Sequence, residues 1–169
     1  MSNDNKKREM LTFQDGDQNT ALHFAAKNGN VRMCEIIIDE AIRLDVIGLL
    51  VNCRNAEGFT PLILVALYGY HFEADKDASL DHRKHIVKKL LDAGANANYC
   101  KEETKMTALH WLSYNNDADA IAVLLSKDAD NLIFSHDNNL PIDIAGTTPS
   151  LQSIDTLLTH YAASNNLTE

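Results

Sequence analysis

Short apolar stretches recur along the chain in pairs, and each pair has the spacing of two helices. The first members of the pairs are residues 20–26, 60–66, 107–113 and 140–146. The second members are residues 34–38, 86–91, 121–125 and 150–161. Each first member carries a Leu or Ile and, three residues later, an Ala, Val or Leu, which predicts one apolar stripe per helix. No single pair can bury its own apolar face, so the pairs are expected to stack.

The two ends of each first helix carry residues with a clear conformational role. Three of the segments begin with Thr20, Thr60 and Thr107. Threonine is a good N-cap because its hydroxyl accepts a hydrogen bond from an amide of the first turn. Pro or Ala follows, which suits the first helical position. Nine residues after each threonine stand Gly29, Gly69 and Asn116, residues that end helices in a left-handed turn.

The segment Thr20-Ala21-Leu22-His23-Phe24-Ala25 resembles the Thr-Pro-Leu-His-x-Ala signature of the ankyrin repeat, whose period is about 33 residues. The resemblance covers about residues 15–160 and implies an all-α ankyrin-repeat solenoid of stacked helix-turn-helix units joined by hairpin-like loops. Four repeats are expected, at about 15–51, 52–99, 100–131 and 132–160. Insertions are expected at about 41–50 and 70–83. The fourth copy lacks the threonine and histidine, and we expect a polar cap there, flanked by a C-terminal tail at 161–169 and an N-terminal tail or partial capping helix at 1–14.

The composition narrows the possible partners and surroundings of the protein. The 169 residues include 15 Lys and Arg against 24 Asp and Glu, for a formal net charge of −9. Nucleic acid and anionic membranes therefore have little positive charge to attract them. No apolar run approaches the roughly 18 residues of a membrane span, and the polar start does not resemble a Sec signal peptide. The three cysteines form no Cys-x-x-Cys pair, so we expect a reducing, cytoplasmic location.

The sequence contains no enzyme motif, and neither a catalytic residue nor a cofactor is expected. Gly-x-Ser-x-Gly, Walker, Gly-x-Gly-x-x-Gly and His-Glu-x-x-His patterns are all missing. The resemblance implies that the signature histidines, His23 and His110, bridge neighbouring backbone. Cys53 and Cys100 occupy equivalent places in adjacent repeats and are expected to be small buried fillers.

The second insertion and the residues directly after it contain the one set of residues that could hold a metal. His82 and His85 are one helical turn apart, and with His71, Asp77 and Asp81 nearby they could form a zinc or nickel site. Alternating Asp and Lys residues around a histidine pair are also typical of a solvated loop. We favour the solvated loop and expect no bound metal.

The resemblance implies a concave surface made by the hairpin tips and the exposed faces of the first helices. The predicted partner-binding residues on it are Glu57, Phe59, Leu67, Tyr68, Glu103, Met106, Tyr114 and Asn115. Apolar and aromatic side chains flanked by charged ones are typical of a protein-binding hot spot. We expect Tyr68 and Tyr114 to be exposed and Trp111 to pack between repeats.

The leading hypothesis is a monomeric, non-catalytic adaptor or scaffold that binds another protein. Its acidic rim favours a partner with a basic or apolar segment, because complementary charge steers encounter. Two alternatives stay open at this point. The chain could be the regulatory ankyrin segment of a larger enzyme or channel, or a secreted microbial effector that binds a host protein.

Overall fold

The computed structural model describes residues 3–68, 76–147 and 151–164, and these residues form helices joined by turns and loops. The helices are α1 (Asn3–Thr12), α2 (Ala21–Lys27), α3 (Val31–Arg43), α4 (Ile47–Leu50), α5 (Pro61–Tyr68), α6 (Lys76–Asp92), α7 (Ala108–Tyr114), α8 (Ala118–Leu125), α9 (Pro141–Ala145) and α10 (Gln152–Ser164). Over the three described ranges there is no strand, and Cys100 and Thr107 form an isolated antiparallel bridge. The predicted all-α class is confirmed.

The chain divides into two compact units, Met1–Asn96 (unit 1) and Ala97–Glu169 (unit 2). In unit 1, α2 packs against α3 and α5, and α6 packs against α3 and α5. In unit 2, α7 packs against α8 and α9, and α10 packs against α8 and α9. Each unit therefore contains two stacked helix pairs, which is the repeat stacking that the sequence pattern predicts.

The helices begin and end where local chemistry places them. Pro61 and Pro141 are the first residues of α5 and α9. Thr60 Oγ1 accepts a hydrogen bond from the backbone N–H of Ile63 at 3.3 Å, as an N-cap does. Gly29 (φ 62°) and Asn116 (φ 52°) take the predicted left-handed conformation. Gly69 lies outside the described residues.

The core consists of the apolar stripes of both helices in each pair. Among the first helices, Leu22, Leu62 and Leu109 are at most 1% exposed. Among the second helices, Ile38 and Leu124 are fully buried. Burying such a side chain stabilises a fold by about 1.5–3 kcal/mol, so these stripes supply most of the energy that holds the pairs together.

The first predicted insertion is helical at both ends. Residues 41–43 form the last part of α3, which ends at Arg43, and Asp45 (φ 56°) turns the chain into the short helix α4. Leu50 at the end of α4 is fully buried. The insertion therefore prolongs the second helix of the repeat and adds core contacts to unit 1.

The second predicted insertion is only partly a loop. Residues 69–75 lie outside the described residues. Residues 76–83, which we expected in a solvated loop, form the first part of α6. Arg83 is fully buried there. The sequence did not reveal this helix because its alternating charges lack a clear apolar stripe.

Both predicted tails contain helix. Residues 3–12 form α1, which packs against α3 and α4 but has no buried residue. Ion pairs hold it: Lys7 lies 2.7 Å from Glu40, and Arg43 lies 2.8 Å from both Asp4 and Glu40. Hydrogen bonds from Arg43 and Lys7 lower the pKa of Glu40 to about 2. At the other end, α10 extends to Ser164 and so includes residues 161–164.

Within the described ranges, no helix is both long enough and apolar enough to cross a membrane.

Candidate functional site

His23 fixes the hairpin loop of the second repeat against the first helix of unit 1. Its Nδ1 accepts the backbone N–H of Thr20 at 3.1 Å and lies 2.9 Å from the Thr20 hydroxyl oxygen. This acceptor role assigns the ring proton to Nε2. Nε2 then donates to the carbonyl oxygens of Cys53 at 3.1 Å and Phe59 at 3.2 Å. Burial lowers the pKa of His23, so the neutral ring that these bonds require is the stable form.

His110 repeats the arrangement in unit 2. Its Nδ1 accepts the backbone N–H of Thr107 at 3.1 Å, and its Nε2 donates to the carbonyl oxygen of Asn139 at 3.2 Å. Burial lowers the pKa of His110, as it does that of His23. Both histidines therefore bridge backbone, as expected, and the loops that they hold carry the hairpin tips.

Phe59 is a core residue and cannot serve as the surface contact that we predicted. Its side chain is 7% exposed. Its carbonyl oxygen accepts from His23, and its N–H donates to Asn55 Oδ1 at 2.9 Å. The two bonds draw the residue under the hairpin, and the prediction of exposure is wrong.

The hairpin tips of neighbouring repeats are joined through their backbones within each unit. In unit 1, the N–H of Ala56 donates to the carbonyl of Asp17 at 2.8 Å. In unit 2, the N–H of His136 donates to the carbonyl of Thr104 at 2.8 Å. These bonds fix the spacing of the tips and leave tip side chains such as that of Glu57 exposed.

Unit 1 exposes aromatic side chains on its first helices. We define surface A as Phe24, Lys27, Leu67 and Tyr68 of these helices together with the hairpin-tip residue Glu57. Tyr68 is 43% and Phe24 48% exposed, while Leu67 is half-buried. The Lys27 ammonium lies 5.1 Å from the centre of the Tyr68 ring. A cation–π contact of this kind is worth about 0.5–1 kcal/mol at an exposed site, and it holds the tyrosine ring in place.

Phe24 and Lys27 were missing from the predicted set of binding residues. They are three residues apart on α2 and so share one face of that helix. Phe24 occupies the variable fifth position of the signature, and that position was the signal that could have identified it.

Unit 2 presents a second aromatic surface, which we call surface B and define as Glu103, Met106, Trp111, Tyr114 and Asn115. Tyr114 is 60% exposed, and its ring meets that of Trp111 edge-on with the centres 6.5 Å apart. Trp111, Met106 and Asn115 are half-buried. Glu103 is exposed, and its own backbone amide, followed by Lys101 at 3.5 Å, lowers its pKa and keeps it charged.

Tyr68 and Tyr114 are thus exposed, as expected, and both are the last residue of a first helix. Trp111 keeps its indole Nε1 buried with no hydrogen-bond partner among the described residues. That position agrees with the expected packing role. Surfaces A and B belong to different units.

The histidines of the second insertion and the cysteines form no metal site in the part of the chain that the structure describes. No group of three His, Cys, Asp or Glu residues that could hold a metal occurs there. His85 Nε2 lies 2.9 Å from Glu35 Oε1, while His71 lies outside the described residues. Cys53 and Cys100 are half-buried free thiols, less buried than expected, and burial raises the pKa of Cys34 to about 12.

Comparison with known proteins places these observations in a family. The family model of ankyrin repeats in three copies matches residues 3–74 and 77–169. An Arabidopsis thaliana protein named as the E3 ubiquitin-protein ligase XBAT31 is 27% identical over 120 residues, which is 71% of this chain and 22% of that protein.

Two further relatives match over similar lengths. A Caenorhabditis elegans homologue of transient receptor potential cation channel subfamily A member 1 is 27% identical over 121 residues, 66% of this chain and 9% of the channel. An ankyrin repeat protein of fowlpox virus, FPV031, is 33% identical over 111 residues, 64% of this chain and 27% of the viral protein. The chain therefore spans between 9% and 27% of the length of these three relatives.

Proposed function

This chain belongs to the ankyrin repeat family, and we propose that it is a non-catalytic module that binds another protein through surfaces A and B. The exposure of Tyr68 and Tyr114 carries the proposal. Large aromatic side chains left in water at the ends of otherwise buried helices are typical of residues that a partner covers. Phe59 has no part in the proposal because it is buried.

The chemistry of the two surfaces favours a partner segment that is basic or apolar. Exposed Glu57 belongs to surface A and exposed Glu103 to surface B. The formal net charge of −9 adds long-range attraction for a cationic segment and repels an acidic one. Leu67 and Met106, both half-buried, supply apolar contact area beside the tyrosines.

A pull-down tests this proposal. Tagged wild-type chain and the double variant Tyr68→Ala/Tyr114→Ala are incubated with cell lysate, and the bound proteins are compared by mass spectrometry. We expect a partner that the wild type retains and the double variant loses. Single variants then assign the loss to surface A or surface B.

The matched controls separate lost contacts from lost structure. Leu49→Ala/Ile42→Ala removes two side chains that are 67% and 53% exposed but lie outside both surfaces. Circular dichroism must show that every variant keeps its helix content. Equal retention by the wild type and the folded tyrosine double variant would contradict the proposal, as would equal losses in the tyrosine and control variants.

A second candidate function follows from the lengths of the relatives. The chain spans 22% of the plant ligase and 9% of the nematode channel. We propose as the alternative that it serves as the regulatory ankyrin segment of a larger enzyme or channel. Expression of the full native transcript separates the two: a native product of 18.8 kDa favours the adaptor, and a much larger one favours the regulatory segment.

We further propose that the chain acts as a monomer in the cytoplasm. The free thiols Cys53 and Cys100 are suited to a reducing compartment. Fractionation of cells and sedimentation of the purified chain test these two statements directly.

A further inference from the structure

The last repeat of unit 2 exposes an apolar face whose equivalent in the preceding repeat is buried. Leu125 and Leu158 stand 33 residues apart at the same repeat position, on α8 and α10. Leu125 is 5% exposed, because α10 packs against α8 and covers it. Leu158 is 50% exposed. Likewise Leu109 on α7 is 1% exposed, while its equivalent Ile142 on α9 is only half-buried.

Leu158 and Ile142 help to line a cavity of about 260 Å³. We call the set of residues that line this cavity the end face. Its lining residues are Asn131, Leu132, Leu140, Ile142, Leu157, Leu158 and Tyr161. Of these, Leu132 is 53% and Tyr161 41% exposed. A terminal repeat that only caps a solenoid presents a polar outer face. The lining of the end face is largely apolar, so these positions differ from the polar cap that we expected, and the end face has the character of a surface that another element covers.

The charge around the end face restricts what can cover it. Lys127 is the last basic residue of the sequence other than histidine, and residues 128–169 contain five Asp and one Glu. Asp130 and Asp143 are exposed and adjoin the lining residues Asn131 and Ile142 in sequence. A second copy of this chain docked through the same face, or an anionic membrane, would bring like charges together. A cationic occupant would be attracted instead.

We propose that the end face of unit 2 binds a basic amphipathic helix of a partner protein. A helix is the fitting element because the equivalent face of the preceding repeat is covered by the helices α9 and α10. The apolar side of the partner helix enters the cavity between Leu132 and Leu158, and its Lys and Arg side chains face Asp130 and Asp143. This site is distinct from surface B, so it does not depend on Tyr114.

The proposal is tested by fluorescence anisotropy with a labelled model peptide and the full chain. The probe is a Leu/Lys peptide of about 18 residues whose leucines follow helical spacing. A peptide of the same composition with scrambled order, and a Leu/Glu peptide with the helical order, serve as controls. We expect saturable binding of the ordered Leu/Lys peptide and at least tenfold weaker binding of both control peptides.

Two pairs of variants separate the apolar and the electrostatic contributions. Leu132→Ser/Leu158→Ser should weaken binding of the ordered peptide at least tenfold. Asp130→Asn/Asp143→Asn should weaken it and reduce its salt dependence. In the wild type, Asp130 accepts the backbone N–H of Leu132 at 2.8 Å, and Asp143 accepts the backbone N–H of Leu140 at 2.8 Å. Asparagine keeps a side-chain oxygen that can accept the same hydrogen bonds. The second pair therefore tests the proposal even if the first pair impairs folding.

The matched controls lie in unit 1. Leu49→Ser/Ile42→Ser removes equally exposed apolar side chains, and Asp45→Asn/Glu9→Gln removes two exposed negative charges. Neither pair should change binding by more than about twofold. The tyrosine variants of surfaces A and B should bind the peptide as the wild type does, so this site and the proposed function can fail independently.

Four outcomes would overturn the proposal. One is equal binding of the ordered and scrambled peptides, and another is undiminished binding by both end-face variants. A third is concentration-dependent self-association in sedimentation velocity that Leu132→Ser/Leu158→Ser abolishes, because the occupant is then a second copy. The fourth is the absence of binding by the full chain when a chain ending at residue 164 binds, because the occupant is then the chain's own last residues.

Discussion

Mild acidification is expected to destabilise both units, because each contains a histidine that is buried in its neutral form. Burial lowers the pKa of His23 and of His110 below the usual value of about 6.5. Just below pH 6.5 the unfolded chain therefore binds more protons at these residues than the folded chain does. Stability rises with pH wherever the unfolded state binds more protons. The contribution is complete above about pH 6.5 and is lost as the pH falls towards the folded pKa.

The size of the effect follows from the number of protons. Each histidine changes the free energy of unfolding by up to about 1.4 kcal/mol per pH unit within that window. Glu40 titrates at much lower pH, because hydrogen bonds from Arg43 and Lys7 lower its pKa to about 2, from a usual value of 4.5. Measurements at half-unit steps between pH 7.5 and 5 therefore report mainly on histidine.

Urea denaturation can follow the two units with different signals. Trp111 is the one tryptophan of the sequence and lies beside His110 on α7, so its fluorescence reports on unit 2. Far-UV circular dichroism reports on both units. The informative variant is His110→Ile, because Ile63 occupies the equivalent place in α5 and is 1% exposed.

In His110→Ile, the bonds to Thr107 and Asn139 are lost, and we expect a loss of about 2–4 kcal/mol at pH 7.5. The number of protons taken up on unfolding, obtained from the pH slope of the free energy of unfolding followed by fluorescence, should fall by about one. His136→Gln, at an exposed residue, should change neither quantity. The reasoning would be refuted by an unchanged pH slope in His110→Ile, or by wild-type stability that stays flat or rises from pH 6.5 to 5.5.

Two further predictions concern backbone contacts of unit 2. Asn98 donates a hydrogen bond to the Asp128 carbonyl at 3.2 Å and accepts one from the Asp130 N–H at 2.7 Å. Asn98→Ala should therefore lower the free energy of unfolding by about 1–3 kcal/mol, measured by urea denaturation with Trp111 fluorescence. Asn98→Asp should lower it less, because aspartate keeps the acceptor. Asn116 has a φ of 52° and a buried Oδ1 that has no partner within the described ranges. Asn116→Gly should therefore raise stability by about 0.5–1 kcal/mol, and an unchanged or lower melting temperature in differential scanning calorimetry would contradict this.

The first helices could be predicted from sequence because their signals are local. A capping threonine, a Pro or Ala at the first position, and a Leu one residue later act within a single turn. The helices α2, α5 and α7 each begin one residue after the predicted threonine and end within two residues of the predicted segment. The same is true of Gly29 and Asn116, whose left-handed conformation depends on the residue itself and the turn that it ends.

The candidate surfaces could be predicted only in part because exposure depends on distant residues. Phe59 precedes its capping threonine in a hairpin that looks exposed in sequence. Its side chain is buried, and its carbonyl oxygen accepts a hydrogen bond from His23, a residue 36 positions earlier. Tyr68 and Tyr114 were easier to place, since each is the last residue of a short first helix.

Leu125 and Leu158 show why the end face could not be predicted from the repeat pattern. The two residues have the same type and the same repeat position, yet one is 5% and the other 50% exposed. Each copy of a repeat determines which face is apolar, but only the next element along the stack determines whether that face is covered. Keeping leucine where no described residue covers it has an energetic cost in water, which a partner helix would remove. The positions most informative about binding in this chain are therefore those where an apolar residue is exposed or half-buried although its equivalent in another repeat is buried. Leu158 and Ile142 in the end face of unit 2 are such positions.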